Sequence, residues 1–265
     1  MRSIAAARSP GLPTGCSGGL PAPASRPAPK RIRRWLLLGA LLAPGLVRAQ
    51  NHVAPLPAFD LHMRVASSLP GSHRAVPAAV WLTALAGTQV PPFLPTERYT
   101  LLQKNRTFIP HLQVIPAGAQ VQFPNADPFF HNVFSLFDGK RFDLGLYEAG
   151  SSKSVTFPRE GVSYIFCNIH PEMSAVVLAL STPLYAIADS GDSLVLRGIP
   201  PGDYKLHIWI EGVPQSFLEG LSRTVHVSNH DLDFGTFTAP IARAKDTTHT
   251  NKFGDAYDTH SQPSY

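Results

Sequence analysis

The sequence is short of cysteine, with two in 265 residues, Cys16 and Cys167. A disulfide-dense scaffold is excluded on that count alone. Charge is also scarce: Asp, Glu, Lys and Arg make up 15% of the chain against 44% hydrophobic residues. A chain that is disordered throughout is therefore excluded as well. Long helical periodicity is missing, and so is an apolar run of membrane-spanning length. The stretch Trp35-Leu-Leu-Leu-Gly-Ala-Leu-Leu-Ala43 falls well short of the about 20 residues a spanning helix needs. Proline and glycine are plentiful, at 26 and 20 residues. Such numbers serve the turns between many short strands, so the composition predicts an all-β chain.

Acidic residues are absent before Gln50, where eight of the 23 basic residues lie. Beyond that point 15 basic face 18 acidic residues, a balance of −3. The overall charge of +5 belongs to the leader and gives no reason to expect nucleic acid as a partner. Lys30-Arg-Ile-Arg-Arg34, the apolar stretch after it and Val47-Arg-Ala49 form the three parts of a signal peptide. Residues 1–49 are read as that signal with a Pro/Gly-rich N-terminal extension. Arg33-Arg34-Trp-Leu-Leu resembles a twin-arginine export signal, so export through either route stays open. The mature chain is expected to be periplasmic or secreted, with no membrane span.

Cleavage after Ala49 would leave Cys167 as the lone thiol. It must then be buried and inert, paired with another chain, or committed to chemistry. Its neighbours bear on the choice. Cys167-Asn-Ile-His170-Pro-Glu-Met173 has the spacing C-x2-H-x2-M, and it stands between two strand-like runs. Val162-Ser-Tyr-Ile-Phe-Cys167 alternates, with Ile165 and Cys167 on one face, while Ser174-Ala-Val-Val-Leu-Ala-Leu180 reads as a buried apolar strand. Upstream stands Phe130-His131-Asn132-Val133. Thiolate, two imidazoles and a thioether make the donor set of a mononuclear copper site. Soft sulfur favours Cu(I), imidazole accepts both oxidation states, and methionine is a poor ligand for zinc. A short loop between strands can turn Cys167, His170 and Met173 toward one point, with His131 closing the site from another strand. Pro171 would stiffen that loop.

Residues from about Phe108 to Leu180 resemble a cupredoxin, the blue-copper family of plastocyanin, pseudoazurin and amicyanin. The resemblance rests on Phe108-Ile-Pro110, Val114-Ile-Pro-Ala-Gly118, Val121-Gln-Phe-Pro-Asn125 and the short ligand loop. Phe134 to Tyr147, with Cys167-Asn-Ile-His170, looks most like bacterial methylamine-utilisation or plastocyanin-like proteins. The resemblance implies a Greek-key β-sandwich over 96–181 holding one copper ion. It implies His131, Cys167 and His170 as equatorial ligands and Met173 as the axial one. Asn132 would brace the site from outside the ligands, hydrogen-bonding backbone near the Cys167 strand.

Other residues keep open readings. His111 is a fifth ligand, a residue supporting the ligands, or a core histidine, and the last two are favoured. Glu172 reads as a solvated loop carboxylate before it reads as a base. Pro128-Phe129-Phe130 is either an apolar docking patch or core. His207 and His226 read as surface residues.

Residues 182–239 resemble a carboxypeptidase-regulatory-like (transthyretin-like) sandwich, through Leu194 to Tyr204 and Lys205-Leu-His-Ile-Trp-Ile210. Its first two strands are expected upstream, in 57–95, with the cupredoxin inserted between. In 204–210, Tyr204, Leu206, Ile208 and Ile210 should share the buried face. The polar tail 240–265, with His249 and His260, reads as disordered.

Three functions compete on this reading. The first is single-electron transfer with a redox partner such as a dehydrogenase, oxidase or cytochrome, and no catalytic residues of the chain's own. The second is a copper-binding accessory protein without redox turnover. The third is a small copper enzyme with an open coordination position.

Overall fold

The computed structural model describes residues 57–67, 76–136, 139–188, 192–240 and 251–255. The leader, the turns at Pro70-Gly71 and Ser190-Gly191, and His249 and His260 lie outside them. Among the described residues no helix is long and apolar enough to cross a membrane.

The architecture is all-β. Two strands come first, β1 (Phe59–Ser67) and β2 (Ala78–Ala84). Ten follow: β3 (Tyr99–Thr100), β4 (Leu102–Lys104), β5 (Thr107–Ile109), β6 (Leu112–Pro116), β7 (Gln120–Pro124), β8 (His131–Ser135), β9 (Phe142–Tyr147), β10 (Ser152–Thr156), β11 (Gly161–Phe166) and β12 (Ser174–Leu180). The last are β13 (Tyr185–Ala188), β14 (Ser193–Ile199), β15 (Gly202–Ile210), the short helix α1 (Gln215–Gly220), β16 (Arg223–Val227) and β17 (Leu232–Ala239).

A five-stranded sheet in the order β6-β12-β11-β8-β9 faces a three-stranded sheet, β10-β7-β3. Val121, Phe123 and Val155 from the smaller sheet meet Ile115, Val133, Ile165 and Val177 from the larger in one buried core. The second pair of sheets is β14-β1-β17 and β13-β2-β15-β16. Here β1 pairs with β14 and runs parallel to β17, while β2 lies between β13 and β15. Both strands from 59–84 thus find their ladder partners among residues 185–239.

The apolar run Ser174–Leu180 explains how the sheets stack. Side chains alternate between faces of a strand. Ala175, Val177 and Ala179 enter the core around Phe123. Val176, Leu178 and Leu180 point the other way, into a second core shared with Leu61, Leu82, Leu206 and Trp209. From Ala175 onward the strand is buried on both faces, which is why the sequence there shows no polar residue. Val53–Tyr265 accordingly forms one compact unit.

The expected inner face of β15 is buried: Tyr204, Leu206 and Ile210 are fully so. Trp209, on the opposite face, is equally buried. Its ring packs on Tyr164 with centroids 6.5 Å apart, and its indole N–H donates to the Tyr164 hydroxyl at 3.2 Å. His207 departs from the surface reading. It is half-buried and stacks on Trp81 at 5.2 Å, and burial lowers its pKa. His226 is exposed and bonds Asp203 at 2.7 Å.

Trp209→Ala removes the largest fully buried side chain among the described residues, one that links β15 to β11 through Tyr164. A loss of about 3–5 kcal/mol in urea unfolding is expected. A loss under about 1 kcal/mol would mean the two halves are held by something other than this contact.

Candidate metal centre

His131 is the first residue of β8, Cys167 follows the end of β11, and Met173 precedes β12. The β11–β12 pairing, Phe166 opposite Ser174, forces the seven residues between into a tight return. Two hydrogen bonds close it: the Cys167 N–H donates to the Met173 carbonyl at 3.1 Å, and the Met173 N–H to the His170 carbonyl at 3.0 Å. Pro171 sits second in the His170–Met173 turn, the position its fixed φ favours.

That return brings three donor atoms together. The Cys167 Sγ lies 3.7 Å from Nδ1 of His131 and 3.5 Å from Nδ1 of His170. All three ligand atoms lie within 4.8 Å of one another. Bonds of about 2.3 Å to sulfur and 2.0 Å to nitrogen, opened to a trigonal angle, separate S and N by about 3.7 Å. The observed spacings match a metal centre. Met173 is fully buried in the same cluster as Cys167.

The surroundings prepare these atoms. His131 is fully buried, and its Nε2 meets Asp127 Oδ2 at 2.8 Å. A carboxylate there holds the proton on Nε2 and leaves the Nδ1 lone pair facing Cys167. Burial alone would raise the pKa of Asp127, but bonds from the Arg106 N–H, His131 and the Asn105 N–H outweigh it and lower it. Those two N–H groups come from the turn between β4 and β5, at 2.6 Å from Asn105 and 3.0 Å from Arg106. Both residues have left-handed φ, 55° and 57°, unusual without glycine. Asp127 therefore holds a strained turn on one side and a ligand imidazole on the other. The sequence reading missed it. Its only signal is an acidic residue four positions before His131, a weak one.

Burial raises the Cys167 thiol pKa, and backbone N–H groups of Asn132, Ile169 and His170 act against the rise. They are placed to stabilise a thiolate, the form a metal requires. Asn132 supports the site differently from expectation. Its backbone N–H serves Cys167, while its side-chain amide donates to Asp143 Oδ1 at 2.7 Å rather than to backbone near the Cys167 strand. The reason is register: β8 pairs with β9 across Phe134 and Asp143, which brings the carboxylate within reach.

His111 does not join the cluster. Its Nδ1 lies 3.2 Å from the Ser174 carbonyl and its Nε2 2.6 Å from Glu211 Oε1. It links β12 to the end of β15, which removes it as a fifth ligand. Glu172 is exposed. Phe129 is half-buried and packs on both ligand rings, 5.3 Å from His131 and 5.6 Å from His170. Arg106 covers the Phe129 ring at 5.3 Å, and Phe130 is 52% exposed.

No protein-family model matches the chain, and no curated protein matches it. Among solved structures, a purple cupredoxin from Nitrosopumilus maritimus aligns at 25% identity over 31% of this chain and 98% of its own, with a TM-score of 0.28. Amicyanin from Paracoccus versutus aligns at 21% identity over 37% of this chain and 97% of its own, with a TM-score of 0.30. A copper-containing nitrite reductase from Thermus scotoductus aligns at 24% identity over 37% of this chain and 25% of its own, with a TM-score of 0.30. Scores this low carry no weight below, where the site stands on its own geometry.

Two measurements follow from these contacts. Burial first, then the nearby His131 and Arg106 charges, push the His170 pKa from 6.5 to about 4, against the pull of Glu172 and Asp127. Between those values the unfolded imidazole takes up a proton that the folded one refuses. Stability of the metal-free protein is present above pH 6.5 and is lost as pH falls toward 4, by about 2 kcal/mol between pH 7 and 5. Equal urea midpoints at the two pH values would contradict this. Asp127→Ala frees the His131 tautomer and should weaken metal binding by about 10- to 100-fold in a chelator competition. An unchanged affinity would show that the carboxylate serves only the β4–β5 turn.

Proposed function

We propose that this chain is an exported, mononuclear type 1 copper protein that carries single electrons. The observation that supports the reading is the convergence of two imidazole Nδ1 atoms and one thiol Sγ, at 3.5 and 3.7 Å, in a pocket where all three residues are buried. That set favours copper over zinc once Met173 is added as axial ligand. Copper would supply the Cu(II)/Cu(I) couple, and the chain supplies a rigid set of donors for it. His131 is held by Asp127, and Cys167 by three N–H groups and the closed turn after it. Little of this needs to move when an electron arrives.

His170 is the ligand nearest solvent, at 8% exposure against 0% for His131 and Cys167. Its edge beside Phe129 is the route by which an electron would leave for a redox partner protein. The chain contributes no catalytic residue of its own in this reading. Residues 57–95 with 182–239 would form one discontinuous transthyretin-like module, with the cupredoxin domain 96–181 inserted in it. The ladders of β1 and β2 with residues 185–239 support that division. Residues 1–49 would direct export to the periplasm.

The test is an optical spectrum and a voltammogram of the purified protein with copper added. An intense visible thiolate-to-copper band and a reversible couple are expected. Cys167→Ser should abolish the band. Met173→Leu should retain copper and move the potential upward; an unmoved potential would count against axial ligation. Bound copper without a reversible couple would favour the accessory role over electron transfer.

A further inference from the structure

Composition places all of 240–265 in a disordered tail, but residues 251–255 form a defined turn. Asn251 knits it: its side-chain oxygen accepts the N–H groups of Phe253 and Asp255 at 2.9 and 3.0 Å, and its own N–H donates to the Asp255 carbonyl at 2.8 Å. Gly254 supplies the left-handed residue, φ 91°. Hydrophobic burial does not hold this segment in place, since Phe253 is 73% exposed. Directed polar contacts do. The Lys252 N–H donates to Asn168 Oδ1 at 2.8 Å, and its ammonium donates to Asp143 Oδ2 at 2.8 Å.

Both partners adjoin residues next to the candidate ligands. Asn168 is the residue after Cys167. Asp143 binds the side chain of Asn132, which follows His131 and whose N–H serves the Cys167 sulfur. One residue of the tail therefore reaches the ligand loop with its backbone and β9, the neighbour of the His131 strand, with its side chain. These two segments lie 36 residues apart at Cys167 and His131.

We propose that Lys252 is a positioning residue, and that the segment 251–255 is a strap which ties the loop 168–173 to Asp143 at the start of β9, and through it to Asn132 of β8. The inference rests on the metal-centre reading for its purpose, but the strap itself can be measured without metal. The Lys252–Asp143 pair is only partly shielded, with side chains 26% and 39% exposed. Alone it would be weak; joined to the Asn168 bond, it fixes two segments at once.

The test uses the full chain, Lys252→Ala, Lys252→Arg, Asn168→Ala, a chain ending at Thr250, and Lys205→Ala as a charge control. Amide exchange of the metal-free proteins is read at residues 168–173. The shortened chain should exchange about tenfold faster there, and Lys252→Ala and Asn168→Ala less so. Lys252→Arg should restore protection, and Lys205→Ala should match the full chain. Transfer of bound copper to a chelator should accelerate in the same order. Loop exchange and transfer rates identical in the full and shortened chains would overturn the proposal. Faster exchange across both sandwiches would also overturn it, because the tail would then be supporting global stability. Should no form bind copper, the exchange order still decides the strap, and the proposed function alone falls.

Discussion

The structure depends on a costly arrangement: a thiol and two imidazole nitrogens face one another where water is excluded. Buried polar groups without good partners are expensive. The Sγ–Nδ1 separations of 3.5 and 3.7 Å are long for hydrogen bonds and suitable for ligands of a common ion. A fold that keeps such atoms together must hold each from behind. Asp127 does so for His131, three N–H groups for Cys167, and the His170–Met173 turn for the loop. The left-handed Asn105 and Arg106 extend this one step further, since their N–H groups spend a strained conformation on orienting Asp127.

The strand that delivers Met173 also decides the architecture. Ser174–Leu180 begins where the loop ends, and it sends alternate side chains into two different cores. One core surrounds Cys167 and Met173. The other is built with β1, β2 and β15, far along the chain in either direction. His111 and Trp209 add polar contacts across the same division, through Glu211 and Tyr164. The second pair of sheets thus stiffens the layer from which the ligand loop hangs, without touching the ligands.

Legibility in the sequence followed the range of the interaction. The loop Cys167–Met173 could be read because its spacing is local and its residue types are chemically unusual together. β12 could be read because burial on both faces leaves no polar residue after Ser174. His207 was misjudged since its cover, Trp81, is 126 positions away in sequence. Asp127 was invisible for a related reason: its importance comes from a turn formed by Asn105 and Arg106, which nothing in the local pattern connects to it. Residues 251–255 gave the plainest misreading. Polarity there signalled freedom, yet Asn251 and Lys252 use their polar groups for specific bonds.

The two imidazoles are held unequally, and the inequality defines which side of the centre can respond to the outside. His131 starts a strand, is fully buried and is pinned through Nε2. His170 sits in the loop, keeps some exposure and takes its restraint from the turn around Pro171 and from packing on Phe129. A short loop carrying two donors and a methionine is the part of such a centre most easily displaced, because few backbone ladders reach it. The contacts that do reach it come from Met173, which closes the turn, and from Lys252, which grips the residue beside Cys167. Rigidity at this centre is therefore assembled from the outside of the loop inward, and the turn 251–255 belongs to that assembly.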